Sequence, residues 1–207
     1  WYLQPDCNLP SGECILRQII AGKRYFMEIF HAAPTVAVNF DTFGHSRGLV
    51  QILRKCGYTG YLFMRPGKEL LDLPSRNIRW RGFDGSEILA HRLDCSYGSA
   101  MGHAAQDAES WCRGEASESI SLFTWGVGNH GGGPSRRDVA ELDRWIHAQP
   151  QIQAVHSTPE AFFQALEDES VDAPVFADDL RPVFVGCYTA QARVKQLHRE
   201  LENHLFA

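Results

Sequence analysis

A chain of 207 residues with 44% hydrophobic and 22% charged side chains has the make-up of a folded globular protein. A net charge of −5 without a basic stripe argues against nucleic-acid binding, and no apolar run approaches the ~20 residues that span a bilayer. No signal peptide is visible, and a start at Trp1, inside what reads as structured sequence, suggests a piece of a larger protein. The six cysteines, Cys7, Cys14, Cys56, Cys95, Cys112 and Cys187, include no C-x-x-C pair. A thiolate zinc site is therefore not indicated. A chain this rich in core residues needs no disulfide staples, so reduced thiols and a cytoplasmic protein are expected, with a Cys7–Cys14 bridge left open.

In chain order, Ser11 is a good N-cap, and Ile15, Ile19 and Ile20 carry a helical period to a stop at Gly22. Thr35 to Phe40 reads as a strand. Ser46 to Lys55 is a helix with Leu49, Ile52, Leu53 and Cys56 on one face, ending at Gly57. Tyr61 to Met64 is a buried strand closed by Arg65-Pro66-Gly67, and residues 66 to 77 form a polar excursion. Ile78–Arg81 and Ile88–Leu93 are short strands flanking Phe83-Asp84-Gly85-Ser86, where Asp-Gly supplies the positive φ of a tight reversal.

Helix resumes over His103 to Arg113. Ile120 to Trp125 reads as a strand running into the glycine-rich stretch Gly126 to Pro134. Ser135 caps a helix to Ala148, Ile152 to Val155 is a strand, and Thr158 caps a helix to Leu166 with Pro159 at its first position. Residues 168 to 182 are acidic and proline-bearing, hence loop, and Thr189 to Leu205 is a closing helix. Alternating strands and helices predict an α/β fold with parallel strands and no internal linker. An open flavodoxin-like sheet and a barrel both fit, with polar and aromatic strand endings favouring the barrel.

Residues 39 to 45, Asn-Phe-Asp-Thr-Phe-Gly-His, end the first strand. In parallel α/β folds chemistry sits at the C-terminal strand ends, so Asp41, Phe43 and His45 read as a reaction centre. Asp41 lies too far before the next helix to cap it; Ser46 is better placed. His45 is open to two readings, a ligand or proton donor and a structural imidazole bonded to backbone. The Gly126–Pro134 loop lacks the Gly-Lys-Ser/Thr ending and the G-x-G-x-x-G register of nucleotide loops. It reads instead as backbone approaching a ligand, with Asn129 and His130 presented, or as a plain surface loop. Trp1 to Asp6 and Trp80-Arg81-Gly82-Phe83-Asp84 place aromatic faces beside acids, as a sugar ring requires. Core packing is the ordinary alternative for both.

These blocks, with Leu9-Pro10-Ser11-Gly12-Glu13, Asp41-Thr42-Phe43-Gly44-His45-Ser46, Trp80 to Glu87 and Gly126 to Pro134 in this order, resemble the catalytic domain of glycoside hydrolase family 38 α-mannosidases, bacterial branch. The resemblance covers nearly the whole chain, 1–207, as part of one catalytic domain. It implies a seven-stranded (β/α) barrel, here incomplete, lacking its first strand and its C-terminal part. It also implies a zinc-dependent retaining hydrolase of terminal α-mannosides. Asp41 matches the nucleophile, which is also a zinc ligand, and Phe43 matches an aromatic of the sugar subsite. The other zinc ligands are expected outside this chain, so the isolated piece is expected to be inactive.

Where a Golgi-branch relative reads Gly-Asp-Asp, this chain reads Gly128-Asn129-His130, so no carboxylate carries over as acid/base. His130 is the candidate donor, with Asp84 and Asp6 as others. Trp80, Arg81, Asp84 and Asn129 join Phe43 as candidate substrate contacts. Expected partners are a mannose-bearing oligosaccharide or small α-mannoside, the rest of the parent chain and a possible second copy. The competing readings are a metal-dependent polysaccharide deacetylase and a non-catalytic carbohydrate-binding module.

Overall fold

A computed structural model describes residues 1–115, 119–128 and 132–206. The chain divides into two compact units, Trp1–Arg92 with Ser170–Ala207, and Leu93–Glu169.

The first unit opens with helix α1, Gly12–Phe30. The Ser11 hydroxyl accepts the Cys14 N–H, as its N-cap reading requires. The helix does not stop at Gly22; it runs two more turns and ends where His31 takes a left-handed conformation, φ 52°. Gly22 has a packing role instead. A Cβ there would lie 2.3 Å from the Trp1 carbonyl carbon, so glycine lets the Trp1–Tyr2 backbone cross the helix.

Strand β1 is Val36–Asn39, α2 is Leu49–Lys55 and β2 is Gly60–Phe63. Strands β3, Asn77–Arg81, and β4, Glu87–Arg92, form the expected hairpin, with Gly85 at φ 82°. A two-residue strand, β5 Val175–Phe176, lies inside the stretch expected to be all loop. It is held as an edge strand against Arg79 and Trp80 of β3. Helices α6, Gly186–Thr189, and α7, Ala192–Phe206, complete the unit. Buried Glu202 of α7 accepts the Ser11 N–H and pairs with Arg199, fastening α7 to the start of α1.

The sheet order is β1-β2-β4-β3-β5. β1, β2 and β4 are parallel, β3 runs antiparallel to β4, and β5 is parallel to β3. The described strands thus make a five-stranded mixed sheet, with parallel strands as the alternation predicted and the hairpin strand β3 antiparallel among them. Register puts Ala37, Tyr61, Ala90, Ile78 and Trp80 on one face. That face forms the core with Ile15 and Ile19 of α1 and Leu49, Val50 and Leu53 of α2. Burying such apolar area is the main stabilising term, about 25 cal/mol per Å².

The second unit is helical: α3 Ala104–Gly114, α4 Arg136–His147 and α5 Pro159–Asp168. Ser135 and Thr158 cap α4 and α5 as read, each hydroxyl accepting the N–H three residues on. Ala104, Ala108 and Leu142 form a small core with Phe123, Trp125 and Trp145. Ile120–Trp125 and Ile152–Val155 are not strands. Among the described residues no ladder partner faces them, and Ile152 and Val155 stay exposed. Apolar alternation describes one side of a strand; only a neighbour completes it. Among the described residues no helix is long and apolar enough to cross a membrane.

Candidate functional site

β1 and β2 end side by side, with Asn39 in register with Phe63. Two residues past each end stand Asp41 and Arg65. Arg65 donates from Nε at 2.9 Å and from Nη2 at 2.8 Å, both to Asp41 Oδ1. The Asp41 side chain is 50% exposed. The guanidinium also lies against two phenyl rings, 5.7 Å from the Phe43 centroid and 5.3 Å from that of Phe184. Those rings meet edge to face at 5.2 Å. Cation–π contact and the charged hydrogen bonds together fix the arginine plane.

Residues 180–184 run beside residues 43–45 and close the site from behind. Leu180 and His45 exchange backbone hydrogen bonds at 2.9 and 3.1 Å, and the Val183 N–H donates to the Phe43 carbonyl at 2.9 Å. Gly44, at φ 115°, permits this approach; a Cβ there would meet Pro182 Cα at 2.7 Å. Asp6 reaches the same strand end. Its Oδ1 accepts the Tyr188 hydroxyl at 2.5 Å and the Thr42 hydroxyl at 3.3 Å. Below them Asn39 is fully buried, donating to the Pro5 carbonyl and to Cys7 Sγ, while its Oδ1 has no partner among the described residues. All six cysteines are free thiols, and burial pushes the Cys7 thiol up to about 12.

His45 is 1% exposed. Its Nε2 lies 2.8 Å from the Arg65 carbonyl and its Nδ1 lies 2.5 Å from the Tyr61 hydroxyl. Burial pushes the imidazole down to about 4, against a smaller upward pull from the carbonyl. His91 is also buried, with Nδ1 2.8 Å from Asn77 Oδ1, and burial with the charges of Arg76 and Arg92 pushes it down to about 3. An unfolded histidine near 6.5 takes up a proton that the folded ring refuses, so stability falls as pH drops below 6.5. The slope is about 1.4 kcal/mol per pH unit per ring, levelling near each folded value. Urea titrations should therefore find the chain roughly 2–3 kcal/mol less stable at about pH 5.5 than at about pH 7. Equal stability at the two pH values would contradict neutral burial of both rings.

The expected site residues separate. Asp41 and Phe43 come together. Trp80 does not line a pocket: it is fully buried, stacked 5.5 Å from Tyr61, with its indole N–H donating to the Asp178 carbonyl. Arg81 and Asp84 belong to the β3–β4 hairpin. Because β3 is antiparallel to β4, that turn lies at the sheet end opposite Asn39, Phe63 and Arg92. Arg81 is spent on its cross-strand partner Glu87 at 2.6 Å, and Asp84 is the acceptor for Ser86 inside the turn. The expectation that these three share a substrate pocket with Asp41 is corrected accordingly. Asn129 and His130 lie outside the described residues. In the second unit, Ser96–Ala100 with Val127 and Gly128 line an open hollow of ≈ 440 Å³.

Sequence reasoning missed Arg65, Phe184 and Tyr188. Arg65 carried one usable signal: it stands at the same offset past its strand as Asp41 does past the neighbouring one. Phe184 lies 141 residues from Phe43 and Tyr188 lies 182 residues from Asp6, and neither carried any.

The model of the glycosyl hydrolases family 38 N-terminal domain matches residues 1–179. Human alpha-mannosidase 2C1 is 32% identical over 214 residues, covering 99% of this chain and 20% of the human protein. The alpha-mannosidase of Saccharomyces cerevisiae is 27% identical over 96% of this chain and 20% of its own length. The chain thus spans about a fifth of the curated relatives it matches. The crystal structure of an alpha-mannosidase from Enterococcus faecalis V583 superposes with a TM-score of 0.69 at 17% identity, covering 87% of this chain and 21% of that one. At that identity the likeness is one of fold.

Proposed function

This chain belongs to glycosyl hydrolase family 38, and from that membership we propose that it is part of the catalytic domain of a retaining α-mannosidase whose nucleophile is Asp41. The observation that carries the reading is the Asp41–Arg65 pair: a half-exposed carboxylate at a strand end, held at its Oδ1 by the guanidinium.

A retaining glycosidase needs a carboxylate to attack the anomeric carbon and a second group to protonate the leaving oxygen. Attack forms the carboxylate–carbon bond as the glycosidic C–O bond breaks. Water then releases the sugar with the original configuration. Holding Asp41 in one plane removes rotamer freedom before the reaction, and that favours attack. Asp6 is committed to Tyr188 and Thr42, and Asp84 lies at the far end of the sheet, so the proton donor proposed is His130.

The family implies a zinc ion at Asp41. The described residues do not by themselves fit one. Beside Asp41 stand a guanidinium and two phenyl rings, and among the described residues no three His, Cys, Asp or Glu side chains could hold a metal together. Asp41 is proposed as one ligand of such an ion, with the others from outside these residues. There the ion would supply Lewis-acid binding of the cis 2,3-diol that mannose has and glucose lacks. A barrel closed by strands beyond the five described, and a substrate bearing terminal α-mannose, complete the proposal.

The test is covalent trapping. The full-length parent enzyme, treated with a fluorinated mannosyl fluoride that forms but slowly releases the intermediate, should carry a mannosyl mass on the peptide containing Asp41. A hydrolase that activates water on a metal forms no such adduct. Label on another carboxylate, or no label while turnover stalls, would overturn the assignment.

A further inference from the structure

The buried imidazole of His45 is more tightly defined than a packed core histidine needs to be. A carbonyl oxygen only accepts, so Nε2, 2.8 Å from the Arg65 carbonyl, must carry the ring proton. Nδ1 is then an acceptor, and the Tyr61 hydroxyl at 2.5 Å must donate to it. One tautomer satisfies both contacts. The ring is walled edge-on by Tyr61, Phe63 and Trp80 at 5.5, 5.7 and 6.4 Å. Its backbone is tied on both sides to Leu180. Arg65 precedes Pro66, which has no N–H to help anchor this turn. The imidazole therefore holds the backbone of the residue whose side chain holds Asp41.

We propose that His45, locked by the Tyr61 hydroxyl, is a positioning residue that pins the Arg65 backbone and so sets the guanidinium that orients Asp41. The geometric part stands on the contacts alone; its kinetic consequence rests on Asp41 being the nucleophile. The order of command runs from the core outward: Tyr61 fixes His45, His45 fixes Arg65, and Arg65 fixes the carboxylate. Neutral burial of the ring keeps the chain of donors pointing one way across the working pH range.

Two measurements test this. Long-range ¹H–¹⁵N spectra of the 207-residue chain should show His45 as the pure Nε2–H tautomer; an Nδ1–H ring, or fast averaging between the two, overturns the proposal without any variant. Then His45→Phe, which keeps a ring but removes the donor, should speed exchange of the Arg65 Nε–H roughly tenfold or more. In the full-length parent it should lower kcat by a similar factor with KM changed by less than about threefold. His45→Gln, whose amide can donate from near the Nε2 position, should restore both. A merely structural histidine would lose stability in both variants alike while Arg65 exchange and kcat per folded molecule stayed put, and that result would sink the idea. Faster Arg65 exchange with kcat unchanged would support the positioning and count against Asp41 as nucleophile.

Discussion

Asp41→Asn in the full-length parent enzyme should lower kcat for an aryl α-mannoside by about a thousandfold or more. The amide has nearly the shape of the carboxylate, so the fold should persist. What disappears is the negative oxygen proposed to attack carbon and the charge that Arg65 pairs with across 2.8 Å. An amide is a feeble nucleophile and is itself a donor, so one face of it would now repel the guanidinium. Steady-state kinetics at saturating substrate, with folding checked by circular dichroism, reads the result. Residual activity within about tenfold of the parent would remove Asp41 from the nucleophile's role. Loss of activity alone does not separate a nucleophile from a metal ligand, which is why the trapped adduct on Asp41 decides between them.

Trp80→Ala should cost about 3–5 kcal/mol of stability in urea denaturation of the 207-residue chain. The indole is fully buried and among the largest side chains in the core. It stacks on Tyr61, faces His45 edge-on and donates to the Asp178 carbonyl. Truncation leaves a cavity and an unpaired carbonyl on the segment that carries β5. The same substitution at a sugar platform would behave differently, raising KM while leaving the denaturation midpoint nearly unchanged. A loss below about 1 kcal/mol would therefore contradict the core assignment.

Much of the frame was legible because its signals are local. The Ser135 and Thr158 caps, the Asp84-Gly85 reversal and the apolar runs of β1 and β2 each depend on a few neighbouring residues. The failures share a different cause, since each was decided by something distant in sequence. Gly22 ends no helix because the Trp1–Tyr2 backbone needs the space its missing side chain leaves. β5 is two residues long and exists only because β3 offers an edge. Ile120–Trp125 has strand-like composition but, among the described residues, no ladder to join. At the site, Asp41 and Phe43 announced themselves through their place at a strand end. Trp80 and Asp84 looked equivalent to them, because an aromatic beside an acid reads the same whether it faces a ligand or the core. Only the register, which sets β3 antiparallel to its neighbour, told the two ends of the sheet apart.

The tail segment that passes behind Phe43 and His45 has a bearing on how this protein can be dissected. Leu180, Val183, Phe184 and Tyr188 all lie past residue 179, where the match to the family model ends, yet they brace the Asp41 loop from its rear. A truncation drawn at residue 179 would keep every signature motif and strip away the scaffolding that aims them. The structural border of this unit therefore runs past residue 179, in keeping with the human relative's likeness over 99% of the chain, and expression designs should extend through Tyr188 at the least.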